Sequence, residues 1–130
     1  MKNLNQWRGI GYAGKDSEAR YTPSGKMVCQ FPMAVSTRFK TVDGEERQET
    51  EWLDIVCWGR LAEMANDRVG KGDPLYVEGR LKSRQWEHDG KQYFRNEILA
   101  RELVFLKPGE GPQVTANAER DADIDELPFD

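Results

Sequence analysis

Three of the four tryptophans in this 130-residue chain lie in β-like runs that also carry cations. Trp52 and Trp58 share one run, and because alternate residues of a strand share a face, these two rings should point the same way. Flat rings stack on unpaired nucleobases, while cations neutralise phosphates. The pattern favours a surface that binds single-stranded nucleic acid. The alternatives are that these rings form a small secondary core under a loop, or a subunit interface. In the second run, the face of Trp86 also carries Arg80, Lys82 and Arg84.

A smaller copy of this pattern precedes an expected hairpin turn, where Phe39 stands between Arg38 and Lys40. Arg60 follows Trp58 closely and adds a further base to that run. A duplex binder would more typically present a helix to the major groove, and the helical segment expected here is short and carries no net charge. Single strands therefore suit these residues better than a duplex.

Residues that could perform catalysis are few. The chain has one histidine, His88, and two cysteines, Cys29 and Cys57, which are far apart in sequence and form no CxxC motif. These residues can form neither a catalytic triad of nucleophile, base and orienting group nor a zinc site. The cysteines are typical of small buried residues in a reducing compartment. We therefore expect no enzyme, no cofactor and no metal site.

The elements that must position these residues are mostly strands. An Asp-Gly pair at 43–44 and another at 89–90 stand between β-like runs and predict hairpin turns, and residues 21–25 predict a further turn. Apolar residues spaced helically at 61, 64, 65 and 69 predict one helix. The expected order is strands at about 5–13, 27–40 and 47–58, the helix at 60–69, and strands at about 74–86 and 91–106.

Five strands with one short helix between the third and the fourth match an all-β, five-stranded barrel of the OB-fold type. An SH3-like barrel is the alternative, but it normally lacks a helix at this point. Pro32 lies inside the second strand and indicates an edge or a bulge. Trp7 lies in an expected strand whose apolar and polar residues do not alternate cleanly. Its ring could therefore belong to the core or to an interface. Alternation places Leu53, Ile55 and Cys57, and Leu75, Val77, Gly79 and Leu81, on the core face.

Charge divides the chain into two parts. The formal net charge is −4. Residues 1–109 carry 18 bases against 16 acids, a net of +2, whereas residues 110–130 carry one base against seven acids, a net of −6. This asymmetry predicts a mildly basic folded domain at 1–107 and a disordered acidic tail at 108–130, whose composition cannot bury enough apolar surface to fold.

The tail ends in a short apolar segment after a run of acids. Its alternating aspartates resemble the start of a calcium loop, but Glu126 stands where that loop requires glycine, so no metal site is expected. An apolar plug with steering negative charge suits a basic-rimmed pocket on another protein, and a solvated spacer is the alternative. The candidate partner-binding residues are Asp121, Asp123, Asp125, Glu126, Leu127, Pro128 and Phe129.

Membrane and export signals are not expected. No apolar run approaches the roughly 18 residues that a membrane span requires. The first residues lack the apolar core of a signal peptide. We therefore expect a protein that stays in the compartment where it is made.

Six motifs carry a family resemblance: Arg20-Tyr21-Thr22-Pro23-Ser24-Gly25, Phe31 to Val35, Thr50-Glu51-Trp52, Trp58-Gly59-Arg60-Leu61-Ala62-Glu63, Lys71-Gly72, and Tyr76-Val77-Glu78-Gly79-Arg80-Leu81. Together they resemble the bacterial single-stranded DNA-binding protein family over about residues 5–106, and the tail resembles that family's acidic tip. The resemblance implies an OB fold, usually in a homotetramer, that wraps single-stranded DNA without catalysis during replication, recombination and repair.

The resemblance also implies roles for individual residues. The stacking rings of the family fall on Phe39, Trp52, Trp58 and Trp86, and its phosphate-contacting bases fall on Arg60, Lys71, Lys82 and Arg84. The tail would recruit replication and repair proteins, and the location would be the cytoplasm, at the nucleoid. An RNA-binding barrel and an assembly adaptor are the alternatives. The full expected site is Phe39, Trp52, Trp58, Trp86, Arg38, Lys40, Arg60, Lys71, Arg80, Lys82 and Arg84.

The sequence departs from the family pattern in three places. Leu53-Asp54 stands where the family usually has His-Arg; the histidine is associated with the tetramer interface, and Asp54 should weaken phosphate attraction locally. Arg8 and Gly9 interrupt a first strand that is usually apolar. Asp130 follows the phenylalanine at which the family ends and moves the terminal carboxylate one residue outward.

Overall fold

The computed structural model describes residues 1–107 and the backbone of residues 113–114. The long strands and the helix begin and end within two residues of the expected ranges. In chain order the elements are β1 (Trp7–Ala13), β2 (Glu18–Tyr21), β3 (Met27–Lys40), β4 (Glu46–Trp58), α1 (Gly59–Arg68), β5 (Pro74–His88), β6 (Lys91–Phe105) and β7 (Gln113–Val114).

Backbone pairing closes the five long strands into a barrel. Their order is β1-β5-β6-β4-β3, and β3 returns to β1 through pairs that include Ala13 with Met33. Within this barrel β4 and β6 run parallel at residues 54–56 and 97–99, and the other neighbours are antiparallel. The closed five-stranded barrel with one short helix confirms the OB-type expectation. Two short strands were not expected: β2 pairs with β3, and β7 pairs with β6.

Tight turns at the two Asp-Gly pairs connect the long hairpins. Gly44 has a φ of 84°, and its N–H donates to the carbonyl of Thr41 at 2.9 Å. Asp89 and Gly90 have φ values of 52° and 77°, as the two-residue turn that matches strand twist requires. Both predicted hairpins are confirmed. Their registers decide which side chains share a face.

The helix α1 follows β4 without a linker, because Gly59 has a φ of 59° and turns the chain sharply there. Its buried residues Leu61, Ala62 and Ala65 join side chains of the surrounding strands in the main core. Val69 caps the helix, and its N–H donates to the carbonyl of Ala65 at 2.9 Å.

Strand parity correctly predicted most of the core face. Ile55 and Cys57 are buried, and Leu53 packs half-buried against the same cluster. Cys29 and Cys57 are cross-strand partners between β3 and β4, both as free thiols. Leu81 is an exception: it is 45% exposed, because the pairing of β5 with β1 ends two residues earlier, at Gly79, and no described strand pairs with Leu81 on that side.

Pro32 lies at a local edge of β3, as expected. On that side β1 pairs with residues 33–34 and β2 with residues 27–30, so no strand faces Pro32. Its carbonyl accepts the N–H of Gly14 at 2.8 Å on the same side, and the missing N–H therefore removes no strand pairing. Trp7, which alternation could not place, is half-buried against the main core.

Most of the expected tail, including the candidate partner-binding residues 121–129, lies outside the described residues. Its disorder and its role therefore stay predictions. In residues 1–107 and 113–114, no helix is long and apolar enough to cross a membrane. Across those same residues, no group of three His, Cys, Asp or Glu side chains is placed to hold a metal ion.

Candidate nucleic-acid interface

Two long hairpins extend beyond the barrel and carry most of the expected site residues. Residues 36–50 of β3 and β4 pair with each other alone, and we call them the β3–β4 ribbon. Residues 82–97 of β5 and β6 form the corresponding β5–β6 ribbon, which pairs with β4 at its base through Glu97. Because β4 and β6 are parallel where Asp54 pairs with Glu97, both ribbons leave the barrel from the same edge. Asp54 and Glu97 are neighbours on one face of the sheet. Trp52, Arg95 and Trp86 lie on that same face.

Trp52 lies at the base of the β3–β4 ribbon and is 62% exposed. A Cβ atom on Gly14 would clash with the ring carbon Cζ3 of Trp52, so the indole occupies space that only a glycine leaves open. The ring is thereby supported from the barrel side while most of its surface meets solvent. An exposed indole on a rigid base is a suitable platform for stacking.

A cavity of about 630 Å³ opens beside this ring. Pro32 and Phe31 contribute apolar surface, and Gln30 contributes an amide. Charges of both signs line the rest, so the cavity offers donors and acceptors rather than a uniform field. The charged lining residues are Lys15, Arg20 and Arg95 with Asp16, Glu18 and Asp54.

Asp54, the acid that replaces a base of the family pattern, forms an ion pair. Its Oδ2 lies 3.4 Å from Nε of Arg95 on the neighbouring strand β6. Both side chains are about one-third exposed, so the pair is partly screened by solvent. The cation of Arg95 therefore offsets the local negative charge that the sequence indicated.

Trp58 points away from the main core, as its parity predicted, yet it is 1% exposed. It belongs to a second cluster with Val28 and Val56, against which Leu99 packs. Val28 of β3 is its cross-strand partner, and Leu99 comes from β6 on the other side of β4. In this structure Trp58 presents no ring face to a ligand.

Trp86 is half-buried in an aromatic and cationic cluster on the β5–β6 ribbon. Its ring stacks on that of Tyr93, its cross-strand partner, with centroids 5.6 Å apart and planes 15° from parallel. The guanidinium carbons of Arg84 and Arg95 lie 4.9 Å and 5.6 Å from the Trp86 centroid. The geometry is that of cation–π contact and offset stacking.

Arg84, expected to contact phosphate, is largely buried by a carboxylate. Its Nε lies 3.6 Å from Oε2 of Glu97, and the two side chains are 12% and 1% exposed. Burial raises the pKa of Glu97, and the nearby Arg84 opposes that rise. Neither oxygen of Glu97 has a hydrogen-bond partner within the described protein. Arg84 thus supports Trp86 and Glu97 from below the surface.

The β3–β4 ribbon divides its three expected residues between its faces. Arg38 and Lys40 share the face of Trp52, whereas Phe39, which is 40% exposed, lies on the opposite face. Phe39 is thus separated from the Trp52 platform.

The remaining expected bases surround the barrel. Arg80 is exposed beside Leu99, and Lys82 is half-buried on the same face as Trp86. Arg60 is exposed in the first turn of α1. Lys71 is exposed, and its backbone N–H donates at 2.8 Å to Oδ1 of Asp16, which lines the cavity.

Sequence reasoning missed four residues of this surface: Gly14, Tyr93, Arg95 and Glu97. Tyr93 had a usable signal, since it and Trp86 are equally distant from the turn at 89–90 and must therefore pair. Glu97 and Arg95 had the same signal, because the turn also pairs them with Lys82 and Arg84. Gly14 had none, because Trp52 lies 38 positions away in sequence.

A closed OB-type barrel that presents exposed rings among cations on projecting hairpins defines an oligonucleotide-binding class of protein. Comparison with known proteins gives the family. Residues 4–106 match the Single-strand binding protein family, and the chain belongs to it. This family is non-enzymatic, which confirms the expectation that the chain is not an enzyme.

Two relatives illustrate the similarity. Single-stranded DNA-binding protein 1 of Chlorobaculum tepidum is 37% identical over 107 residues, which cover 81% of this chain and 66% of the relative. The single-stranded DNA-binding protein of Neisseria meningitidis serogroup A is 37% identical over 105 residues, covering 80% and 60%. The chain thus spans 60–66% of the length of these relatives.

Solved structures agree with this placement. The Plasmodium falciparum SSB in complex with ssDNA superposes with a TM-score of 0.76 at 25% identity, over 82% of this chain and 98% of that one. A deletion mutant of the single-stranded DNA binding protein from Thermus aquaticus gives a TM-score of 0.72 at 35% identity, over 84% and 53%.

Proposed function

We propose that this chain binds single-stranded DNA without sequence preference and without catalysis. Bases would stack on Trp52 and Phe39 and at the aromatic cluster around Trp86, while exposed cations neutralise phosphates. The observation that carries the proposal is the indole of Trp52, 62% exposed, supported by Gly14 and bordered by a 630 Å³ cavity. Within the part of the chain that the structure describes, most of this ring is left uncovered.

The charge distribution supports the phosphate contacts. Arg38 and Lys40 lie on the face of Trp52, and Arg80 and Lys82 lie on that of Trp86. Arg60 and Lys71 extend the cationic surface along the barrel, whereas Arg84 acts mainly through Trp86. Because cations that neutralise phosphates release counterions, binding must weaken as salt rises.

The family membership supports a wider biological role. We propose that the chain protects single-stranded DNA at the nucleoid during replication, recombination and repair, as a homotetramer. Its acidic tail would recruit partner proteins through residues 121–129. Deleting residues 121–130 should then leave DNA affinity unchanged or higher, because competing negative charge is removed, while partner proteins no longer co-purify.

Titration of intrinsic tryptophan fluorescence with oligo(dT), at low and at high salt, tests the binding proposal. Stacking predicts strong quenching, and affinity should fall by roughly 0.7 log units per log unit of salt for each phosphate neutralised. A matched RNA oligomer should compete poorly. Absence of quenching by a folded protein would refute the proposal and favour an assembly adaptor, while stronger competition by RNA would favour an RNA-binding barrel.

A further inference from the structure

Trp86 and Tyr93 form a stacked pair on the β5–β6 ribbon, and Tyr93 is not among the site residues expected from the sequence. Of the two rings, Trp86 is half-buried and contacts two guanidinium groups, whereas Tyr93 is 39% exposed. A base that approaches this pair from solvent therefore meets Tyr93 more readily than Trp86. We propose that Tyr93 is a nucleobase-stacking residue, with Trp86 as the ring that supports it; this rests on the proposed function.

The stacked neighbour Trp86 makes Tyr93 a rigid platform. The rings are 5.6 Å apart and 15° from parallel, an offset stack that holds the Tyr93 plane. Arg84 lies over Trp86 at 4.9 Å and is in turn retained by buried Glu97 at 3.6 Å. A ring held in this way loses little conformational freedom when a base stacks on it, so more of the stacking energy appears as affinity.

The charges around Tyr93 fit a polynucleotide. Lys91 and Arg95 precede and follow it on the same face of β6, and Lys82 lies further along the ribbon on β5. A strand whose base covers Tyr93 would therefore have cations within reach of its phosphates on both sides.

A purely structural role for the pair predicts something different. Cross-strand aromatic pairs stabilise hairpins, and such a pair would tolerate any apolar residue of similar size. However, the ribbon extends past the barrel, and Tyr93 belongs to neither buried cluster. The neighbour Phe94, which is 69% exposed on the opposite face, provides a matched control.

The test compares Tyr93→Leu, Tyr93→Phe and Phe94→Leu in the full chain by anisotropy of a labelled oligo(dT) at fixed salt. Loss of one stacked base predicts that Tyr93→Leu weakens binding about 5- to 150-fold. Tyr93→Phe and Phe94→Leu should stay within about twofold of the unmodified chain. Equal affinity of a folded Tyr93→Leu variant would overturn the inference.

Photocrosslinking gives an answer even if Tyr93→Leu fails to fold. The unmodified chain, bound to an oligomer that carries 5-iododeoxyuridine, should crosslink at Tyr93, as located by mass spectrometry. Crosslinks at Trp52 without any at Tyr93 would overturn this inference and leave the proposed function intact. No binding of oligo(dT) by the unmodified chain would instead refute the proposed function itself.

Discussion

Truncating Trp52 and Trp58 separately to alanine should separate binding from folding. Both indoles lie on β4 and point away from the main core, but one is 62% exposed and the other 1%. Trp52→Ala should therefore weaken DNA binding with a modest loss of stability. Trp58→Ala should chiefly destabilise the fold.

The magnitudes follow from burial. A tryptophan presents up to about 250 Å² of surface, so Trp52 keeps about 100 Å² covered, equivalent to at most roughly 2 kcal/mol of unfolding free energy. Loss of one stacked base costs about 1–3 kcal/mol, or about 5- to 150-fold in affinity. Replacing the fully buried Trp58 by alanine removes the whole ring from its cluster and should cost about 3–5 kcal/mol of stability.

The assay pairs two measurements on each variant. Urea denaturation followed by circular dichroism gives the free energy of unfolding, and anisotropy of labelled oligo(dT) at one salt concentration gives affinity. Trp52→Phe and Trp58→Phe are the matched controls, since each keeps an aromatic ring. Trp52→Phe should retain most of the affinity, and Trp58→Phe should fold and bind.

Two outcomes would refute this reasoning. A folded Trp52→Ala variant with unchanged affinity would remove that ring from the site. A Trp58→Ala variant as stable as the unmodified chain, but deficient in binding, would show that Trp58 leaves its cluster to contact DNA.

Three further predictions test the surroundings of the site. Gly14→Ala should lower DNA affinity about three- to tenfold, or roughly 0.6–1.4 kcal/mol, because the new Cβ displaces the Trp52 ring. A similar loss of affinity in a chain that already carries Trp52→Ala would contradict this explanation. Burial raises the pKa of Glu97 above its unfolded value, so its contribution to stability is present at low pH and is lost as pH rises through the folded-state pKa. Glu97→Gln should therefore be more stable than the unmodified chain at pH 7 in urea titrations, with the gain disappearing on acidification; a gain that grows at low pH would contradict this sign. Cys29 and Cys57 are buried with raised pKa values, so neither should react with Ellman's reagent at pH 8 until urea unfolds the chain, and rapid reaction of the folded protein would contradict their burial.

Local sequence patterns predicted the framework well. The Asp-Gly turns, the period-two alternation of β4 and the helical spacing at 61–69 each depend on a few neighbouring residues, and each is found in the structure. The short strand β2 was not predicted, because its four residues, Glu18–Tyr21, show little apolar–polar alternation. It pairs with β3 across the turn that follows it. The extension of β5 beyond the barrel was missed at Leu81, since alternation shows which way a residue points but not where its sheet ends.

The sequence by itself determined the kind of surface this protein has: rings and cations on alternating positions of paired strands, beside an acidic tail. Tertiary structure decided which of those residues are available. Trp58 is buried because β3 and β6 bring Val28 and Leu99 beside it, and Arg84 is covered because β6 brings Glu97. Arg84 and Glu97 are 13 positions apart and meet through the register of one hairpin. The contacts of Trp58 span 30 and 41 positions, and strand pairing over such distances depends on the closure of the whole barrel rather than on any local run.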